Sequence, residues 1–112
     1  MIVKAQYDDH SYASSYNVGP DERDCIETGT LTDYFVNAWQ DGLYWTSLSD
    51  NGPHEANFLQ LDNSKVKKTF SWKPVWDAKT AVEKVVEYAK SDNKEGCVEA
   101  QIRAFFEAQE SI

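Results

Sequence analysis

Residues that build metal sites and disulfide frameworks are scarce in this sequence. The chain has two cysteines, Cys25 and Cys97, which lie far apart and form no C-x-x-C pair, and two isolated histidines, His10 and His54. Neither a zinc site nor a disulfide framework is therefore predicted, and we expect both thiols to be reduced. The run Asp8-Asp9-His10 has residue types that ligate metals, but three adjacent polar residues on a loop are more typical of a solvated turn.

Long apolar runs and excess basic charge are also missing. No apolar run reaches membrane-spanning length and no signal peptide is visible, so a cytoplasmic location is expected. The chain has 19 acidic and 11 basic residues, which gives a net charge of −8. This charge disfavours nucleic acid and anionic membrane surfaces, and neither is predicted as a partner.

The residues that are present predict one small domain over residues 1–112. We predict an α+β fold with about four helices and a few short strands. Asp62 and Asp77 precede apolar periodic segments, and each can cap a helix by accepting a hydrogen bond from a free amide of its first turn. Helices are predicted over residues 63–69, 78–90 and 99–109, with a polar connection over 91–96.

An amphipathic helix is predicted further upstream. Thr30 or Thr32 can cap it, and Gly42 follows it as a stop signal. Its apolar residues fall on one face, which we expect to lie in the core: Leu31, Tyr34, Phe35, Ala38 and Trp39. Short apolar or alternating runs predict strands over residues 14–18, 43–48 and 56–61.

The stretch from Pro53 to Asp77 makes the chain resemble a known family. It reads His-Glu-Ala-Asn-Phe-Leu-Gln-Leu-Asp-Asn-Ser-Lys and then Phe-Ser-Trp-Lys-Pro-Val-Trp. Together with Tyr-Asn-Val-Gly-Pro at residues 16–20, these motifs resemble the C-terminal part of the CDP-glucose 4,6-dehydratases. Those enzymes are lyases of the NAD-dependent epimerase/dehydratase group, within the extended short-chain dehydrogenases/reductases. The resemblance implies a substrate-binding lobe, with residues 1–6 as the last turn of a helix.

The catalytic half of that family has no counterpart in this sequence. The five glycines are scattered singly, so no glycine-rich βαβ unit can cradle a dinucleotide pyrophosphate. None of the six tyrosines has a lysine four residues later, the spacing that lowers a phenol's pKa for use as a base. We therefore assign no catalytic and no cofactor-binding residue. NAD belongs to the intact family enzyme and not to this chain alone.

The resemblance implies three substrate-binding residues, Asn17, His54 and Glu55. It places the segments 17–20 and 53–57 near the nucleotide-sugar, here CDP-glucose. Glu55 would accept hydrogen bonds from ribose hydroxyls or a base amine, and His54 would donate to an oxygen. From the residues alone, a loop histidine beside a glutamate is more typical of a solvated surface.

Three positions depart from the family pattern. Ile26 and Val75 stand where related sequences often have arginine, so a bidentate anion donor is missing at each. Ser71 replaces a glycine, which puts a Cβ where the backbone can need a positive φ. Four tryptophans could suggest base stacking, but their spacing and the lack of basic neighbours favour packing: Trp39, Trp45, Trp72 and Trp76.

Three functional hypotheses follow. The first is a fragment or stand-alone C-terminal domain of a CDP-glucose 4,6-dehydratase that binds the nucleotide-sugar and is not catalytic alone. The second is a non-catalytic protein-interaction module derived from that lobe. The third is one half of a split dehydratase. Each predicts an exposed apolar surface, and hence self-association or a Rossmann-lobe partner.

Overall fold

A computed structural model describes residues 1–48 and 60–111 of the chain, and within these ranges all regular secondary structure is helical. The α-helices are α1 (Ile2–Asp8), α2 (Thr28–Trp39), α3 (Ser64–Phe70), α4 (Ala78–Lys90) and α5 (Lys94–Glu110). Two 3₁₀ turns, His10–Tyr12 and Glu22–Asp24, lie between α1 and α2. The α+β prediction is therefore wrong.

Side chains hold the segments that were predicted as strands. Residues 14–18 run beside α3, where the Lys65 ammonium donates to the Ser14 hydroxyl at 2.5 Å and to the Ser15 carbonyl at 2.8 Å. Residues 43–48 are tied to α2 by the Trp45 indole, which donates to the Asp33 carboxylate at 2.8 Å. Neither segment forms a strand, because apolar patterning cannot supply the partner that a β-ladder requires. Most of the third predicted strand, residues 56–61, lies outside the described residues.

The helices following aspartates lie close to their predicted positions. The 78–90 helix is confirmed as α4, and the Asp77 carboxylate caps it by accepting from the Thr80 amide at 2.8 Å. Helix α3 begins at Ser64 with Asn63 in the N-cap position, one residue later than predicted. The Asp62 carboxylate accepts from the Ser64 amide at 2.9 Å, but Asp62 lies one residue before the N-cap, so its assignment as the N-cap is wrong.

Two other helix starts were predicted wrongly. Helix α2 begins at Thr28 after Glu27, and the Thr32 hydroxyl donates to the Thr28 carbonyl at 2.8 Å within the helix. Helix α5 begins five residues before its predicted start, because the Asn93 side chain accepts from the Gly96 amide at 3.0 Å. A Cβ on Gly96 would lie 2.5 Å from the Asn93 amide nitrogen, so any other residue there would require the Asn93 side chain to shift.

The interior of the described fold is small. Helix α2 packs against α4, and α4 packs against α5. Only Val66 and Val86 are buried apolar residues among those described, with 0% and 3% exposure. The apolar face of α2, predicted as core, contains no buried residue. The radius of gyration is 17.6 Å, against roughly 13 Å for a compact domain of about 100 residues.

Candidate functional site

The loop at Gly19-Pro20 and the start of α3 are joined by one buried side chain. Asn63 is 8% exposed, and its amide nitrogen donates to the carbonyls of Gly19 and Pro20, both at 3.0 Å. Two consecutive backbone acceptors are thereby satisfied by one amide group. Asn63 thus fixes the spacing between two segments that are more than forty residues apart in sequence.

An ion pair supports the same junction. The Lys67 ammonium contacts the Asp21 carboxylate, and both side chains are partly buried. The hydrogen bond from Lys67 holds the pKa of Asp21 below its ordinary value, with a further contribution from Asn63. Asp21 therefore remains an anion at neutral pH, and its charge is matched by Lys67.

Asn17 lies at the edge of this junction. Its side chain is exposed, and its amide nitrogen donates to the Asp62 carbonyl at 3.3 Å. The structure therefore places Asn17 beside the start of α3. His54 and Glu55 lie in the range 49–59, outside the described residues, so their predicted role stays a prediction.

A polar cleft of about 430 Å³ opens beside the Asn63 junction. It is lined by Pro20, Glu22, Gln60, Leu61, Asp62, Asn63 and Lys67. Hydrogen bonds from the hydroxyl and the amide of Ser64 lower the pKa of Asp62. Asp62 and Glu22 are acceptors, while Lys67, the cation among the described lining residues, is paired with Asp21. The cleft therefore suits hydroxyl and amine donors better than a phosphate.

Three residues of the Asn63 junction, Asn63, Asp21 and Lys67, were not predicted as site residues. Asn63 was assigned to the first position of a helix, and the Asp21–Lys67 pair was not anticipated. The available signal was the Asp-Asn-Ser sequence ahead of α3, since Asn and Ser are favoured where a helix begins. That signal indicates a helix start but cannot indicate which distant carbonyls the side chain will contact.

A second, apolar cleft of about 650 Å³ lies between α2, α4 and the turn over residues 72–76. Ile26 and Val75 both line it. Neither can donate a hydrogen bond from its side chain to an anion there.

The four tryptophans contact neighbouring parts of the fold. Trp39 stacks on Phe35 with ring centroids 5.7 Å apart, and Trp76 meets Phe105 edge to face at 5.3 Å. The Trp45 ring lies against Gly29, and Trp72 lines the apolar cleft. These contacts fit the predicted packing role.

The described ranges contain neither a cluster of metal ligands nor a membrane-spanning helix. In residues 1–48 and 60–111, no three His, Cys, Asp or Glu side chains are grouped to hold a metal ion. Helices in this part of the chain are too short or too polar to cross a membrane. Cys25 and Cys97 are free thiols, both half-buried.

Comparison with curated proteins relates the chain to a dehydratase. That relative is the CDP-glucose 4,6-dehydratase of Salmonella typhimurium, which is 30% identical over 80 residues. The match covers 71% of this chain and 22% of that enzyme, so the shared region is less than a quarter of the relative's length. No protein-family model and no solved structure matches the chain.

Proposed function

We propose that this chain is a nucleotide-sugar-binding segment of a CDP-glucose 4,6-dehydratase and is not catalytic alone. The observation that supports it most is the 30% identity to such an enzyme over 71% of the chain. The Asn63 junction adds support, because it holds the Gly19-Pro20 loop, implied to face the ligand, against the start of α3.

The polar cleft suits the nucleoside part of CDP-glucose, and the diphosphate would contact the dinucleotide-binding lobe. Acceptors such as Glu22 and Asp62 suit ribose hydroxyls and the cytosine amine. Lys67, the cation among the described residues that line the cleft, is already paired with Asp21. A diphosphate would therefore take its cations from the dinucleotide-binding lobe, which would also supply NAD, the Tyr/Lys pair and the acid and base for water elimination. This chain would supply the nucleoside end of the site.

Titration calorimetry with cytidine, CDP, CDP-glucose, UDP-glucose and NAD tests this proposal. Cytidine should bind at least as tightly as CDP, because Glu22 and Asp62 repel a diphosphate and the lining Lys67 is already paired with Asp21. Uridine nucleotides lack the amine and should bind less well, and NAD should give no heat. Preference for CDP over cytidine would contradict the division of the ligand. No heat with any cytidine compound would contradict binding by the isolated chain.

Matched substitutions locate the binding. Glu55→Gln and His54→Ala should each weaken cytidine binding about tenfold, the loss of one hydrogen bond to a charged or polar partner. Glu83→Gln on α4 and His10→Ala in the first 3₁₀ turn are controls that remove the same group elsewhere. Equal losses in the controls would remove His54 and Glu55 from the site.

The open apolar cleft favours a second candidate, a protein-interaction module. Val85 lines this cleft and is 60% exposed, which is unusual for a valine on the packed side of a helix. A separately produced dinucleotide-binding half should bind the wild-type chain, and Val85→Glu should abolish that binding. If the two halves together convert CDP-glucose, the split-enzyme hypothesis is favoured. Binding without conversion favours the interaction module.

A further inference from the structure

Gln40, at the end of α2, has a backbone conformation that favours glycine. Its φ is 61° and its ψ is −138°, and it follows the last helical residue, Trp39. A residue with a side chain persists in this region only when its surroundings hold it there. The next two residues also have positive φ, 54° at Asp41 and 73° at Gly42, but an Asp-Gly pair is well suited to such a turn. The strain is therefore concentrated at Gln40.

The turn at Gln40 reverses the chain and brings the following segment back along α2. The Leu43 amide donates to the Gln40 carbonyl at 3.0 Å, which closes a four-residue turn. Beyond the turn, the Trp45 indole donates to the carboxylate of Asp33, a residue of α2, at 2.8 Å. We call residues 40–48 the strap.

Lys90 fastens the strap at the turn. It is the last residue of α4, and its ammonium donates to the Trp39 carbonyl at 2.6 Å and to the Asp41 carboxylate at 2.7 Å. The ammonium also lies over the Trp39 ring, 5.0 Å from its centroid. Because the last carbonyls of a helix have no partner within it, a lysine there satisfies one of them. Lys90 thus contacts the residues on both sides of the strained Gln40.

Apolar burial contributes little to the position of the strap. Tyr44 and Leu48 are 82% and 88% exposed, and Trp45 is 41% exposed. A segment with so few buried contacts depends on its individual polar contacts. In the described ranges these are the Lys90 contacts at the turn and the hydrogen bond from Trp45 to Asp33.

We propose that the strap has two positions and that the charge of Lys90 determines which one it adopts. With the ammonium in place, the strap lies along α2 and Gln40 is strained. When the charge is removed, Gln40 relaxes and the strap leaves α2, which uncovers the surface of the helix around Asp33. Backbone strain that is opposed by one charged side chain makes an element bistable, because loss of either shifts its population. This inference does not rest on the proposed function, since neither Lys90 nor the strap lines the polar cleft.

Exchange of the Trp45 indole proton with solvent, measured by NMR, reports the position of the strap. In the wild type this proton is bonded to Asp33 and should be protected. Lys90→Gln should speed its exchange about tenfold, the effect of losing hydrogen bonds from a charged group, whereas Lys90→Arg keeps the charge and should change it little. Lys84→Gln is the matched control: Lys84 lies on the same helix and pairs with Glu87, so its replacement should leave the exchange unchanged. An unprotected proton in the wild type would overturn the proposal.

Removing the strain tests the role of Gln40. Lys90→Gln/Gln40→Gly should recover most of the wild-type protection, because glycine adopts the turn conformation without strain. Lys90→Gln/Gln40→Ala should not recover, since alanine keeps the Cβ. Unchanged exchange in Lys90→Gln, or equal exchange in the two double variants, would contradict the two-position strap. Loss of helical circular dichroism in Lys90→Gln would also contradict it, because Lys90 would then hold the whole fold and not the strap alone.

Discussion

Ser71 ends α3 in the left-handed region, with φ of 52° and ψ of 29°. The sequence predicted this from the replacement of a glycine at that position. A Cβ makes the conformation unfavourable by roughly 1–2 kcal/mol, and glycine's greater freedom in the unfolded chain offsets part of the gain from removing it. We expect Ser71→Gly to raise the free energy of unfolding by about 0.5–1 kcal/mol, measured by urea denaturation.

The control for Ser71 is another serine after a helix. Ser91 follows α4 with φ of −71°, where a side chain causes no strain. Ser91→Gly should therefore lower stability, because it adds freedom to the unfolded chain and removes the 2.9 Å hydrogen bond from the Ser91 hydroxyl to the Asn93 carbonyl. Stabilisation by both substitutions, or by neither, would contradict the assignment of strain to Ser71.

The contact between the Gly19-Pro20 loop and the start of α3 depends on Asn63. Asn63→Ala should lower the free energy of unfolding by about 2 kcal/mol, because it leaves two backbone carbonyls without their donor. Asn63→Asp should be worse at neutral pH, since it turns a carboxylate toward those carbonyls. Asn17→Ala is the control: this exposed residue makes one 3.3 Å bond to Asp62 and should change stability by less than a quarter as much.

At the scale of elements, Asp77 makes the stability of α4 dependent on pH. Hydrogen bonds from the hydroxyl and the amide of Thr80 lower its pKa in the folded chain. Because the folded pKa lies below the unfolded one, the cap's contribution is complete above the unfolded value and is lost as pH falls through the folded value. At pH 7, Asp77→Ala should cost about 1 kcal/mol, a typical N-cap contribution.

Denaturation of the wild type and of Asp77→Ala between pH 7 and pH 2 measures the contribution of Asp77 to stability. The difference in stability between wild type and Asp77→Ala should shrink below about pH 4, where the carboxyl of an ordinary aspartate protonates. Asp77→Ser keeps a capping oxygen without a charge and should show a pH-independent stability relative to alanine. A constant difference for the wild type would show that the charged carboxylate does not act as the cap.

A helix with a capping residue and an apolar stripe was predictable from the sequence, whereas the strands predicted over residues 14–18 and 43–48 are wrong. Asp77 and the valine stripe of α4 are local signals, so residues 78–90 were placed correctly. Residues 14–18 and 43–48 have strand-like patterns, but a strand also needs a distant partner. Lys65 and Asp33 hold these segments by side chains. Local sequence contains no information about such partners.

The candidate site also contains one residue that the sequence predicted and one that it did not. Asn17 was predicted from a motif, and the structure places it beside the start of α3. Asn63 was missed as a site residue, because its importance comes from contact with carbonyls more than forty residues away. His54 and Glu55 remain predictions. The motif at residues 17–20 therefore predicted one segment that lies at this junction, whereas the contacts of Asn63 are visible only in the folded chain.

The whole molecule buries little apolar surface for its length. Val66 and Val86 alone are buried apolar residues in the described ranges. The urea dependence of unfolding scales with the surface exposed, so the chain should have an m-value near the low end, about 1 kcal/mol per molar urea. An m-value near 2 would contradict the small interior.

Amide NMR of the ¹⁵N-labelled chain, titrated with CDP-glucose, tests most directly whether the isolated chain binds the nucleoside end of this ligand at the Asn63 junction. We expect saturable shifts of amides at residues 17–19, 21–22, 54–57 and 60–63, equal shifts with cytidine, and unchanged amides in α5. No shifts at saturating ligand, or shifts confined to α5 or the apolar cleft, would contradict it.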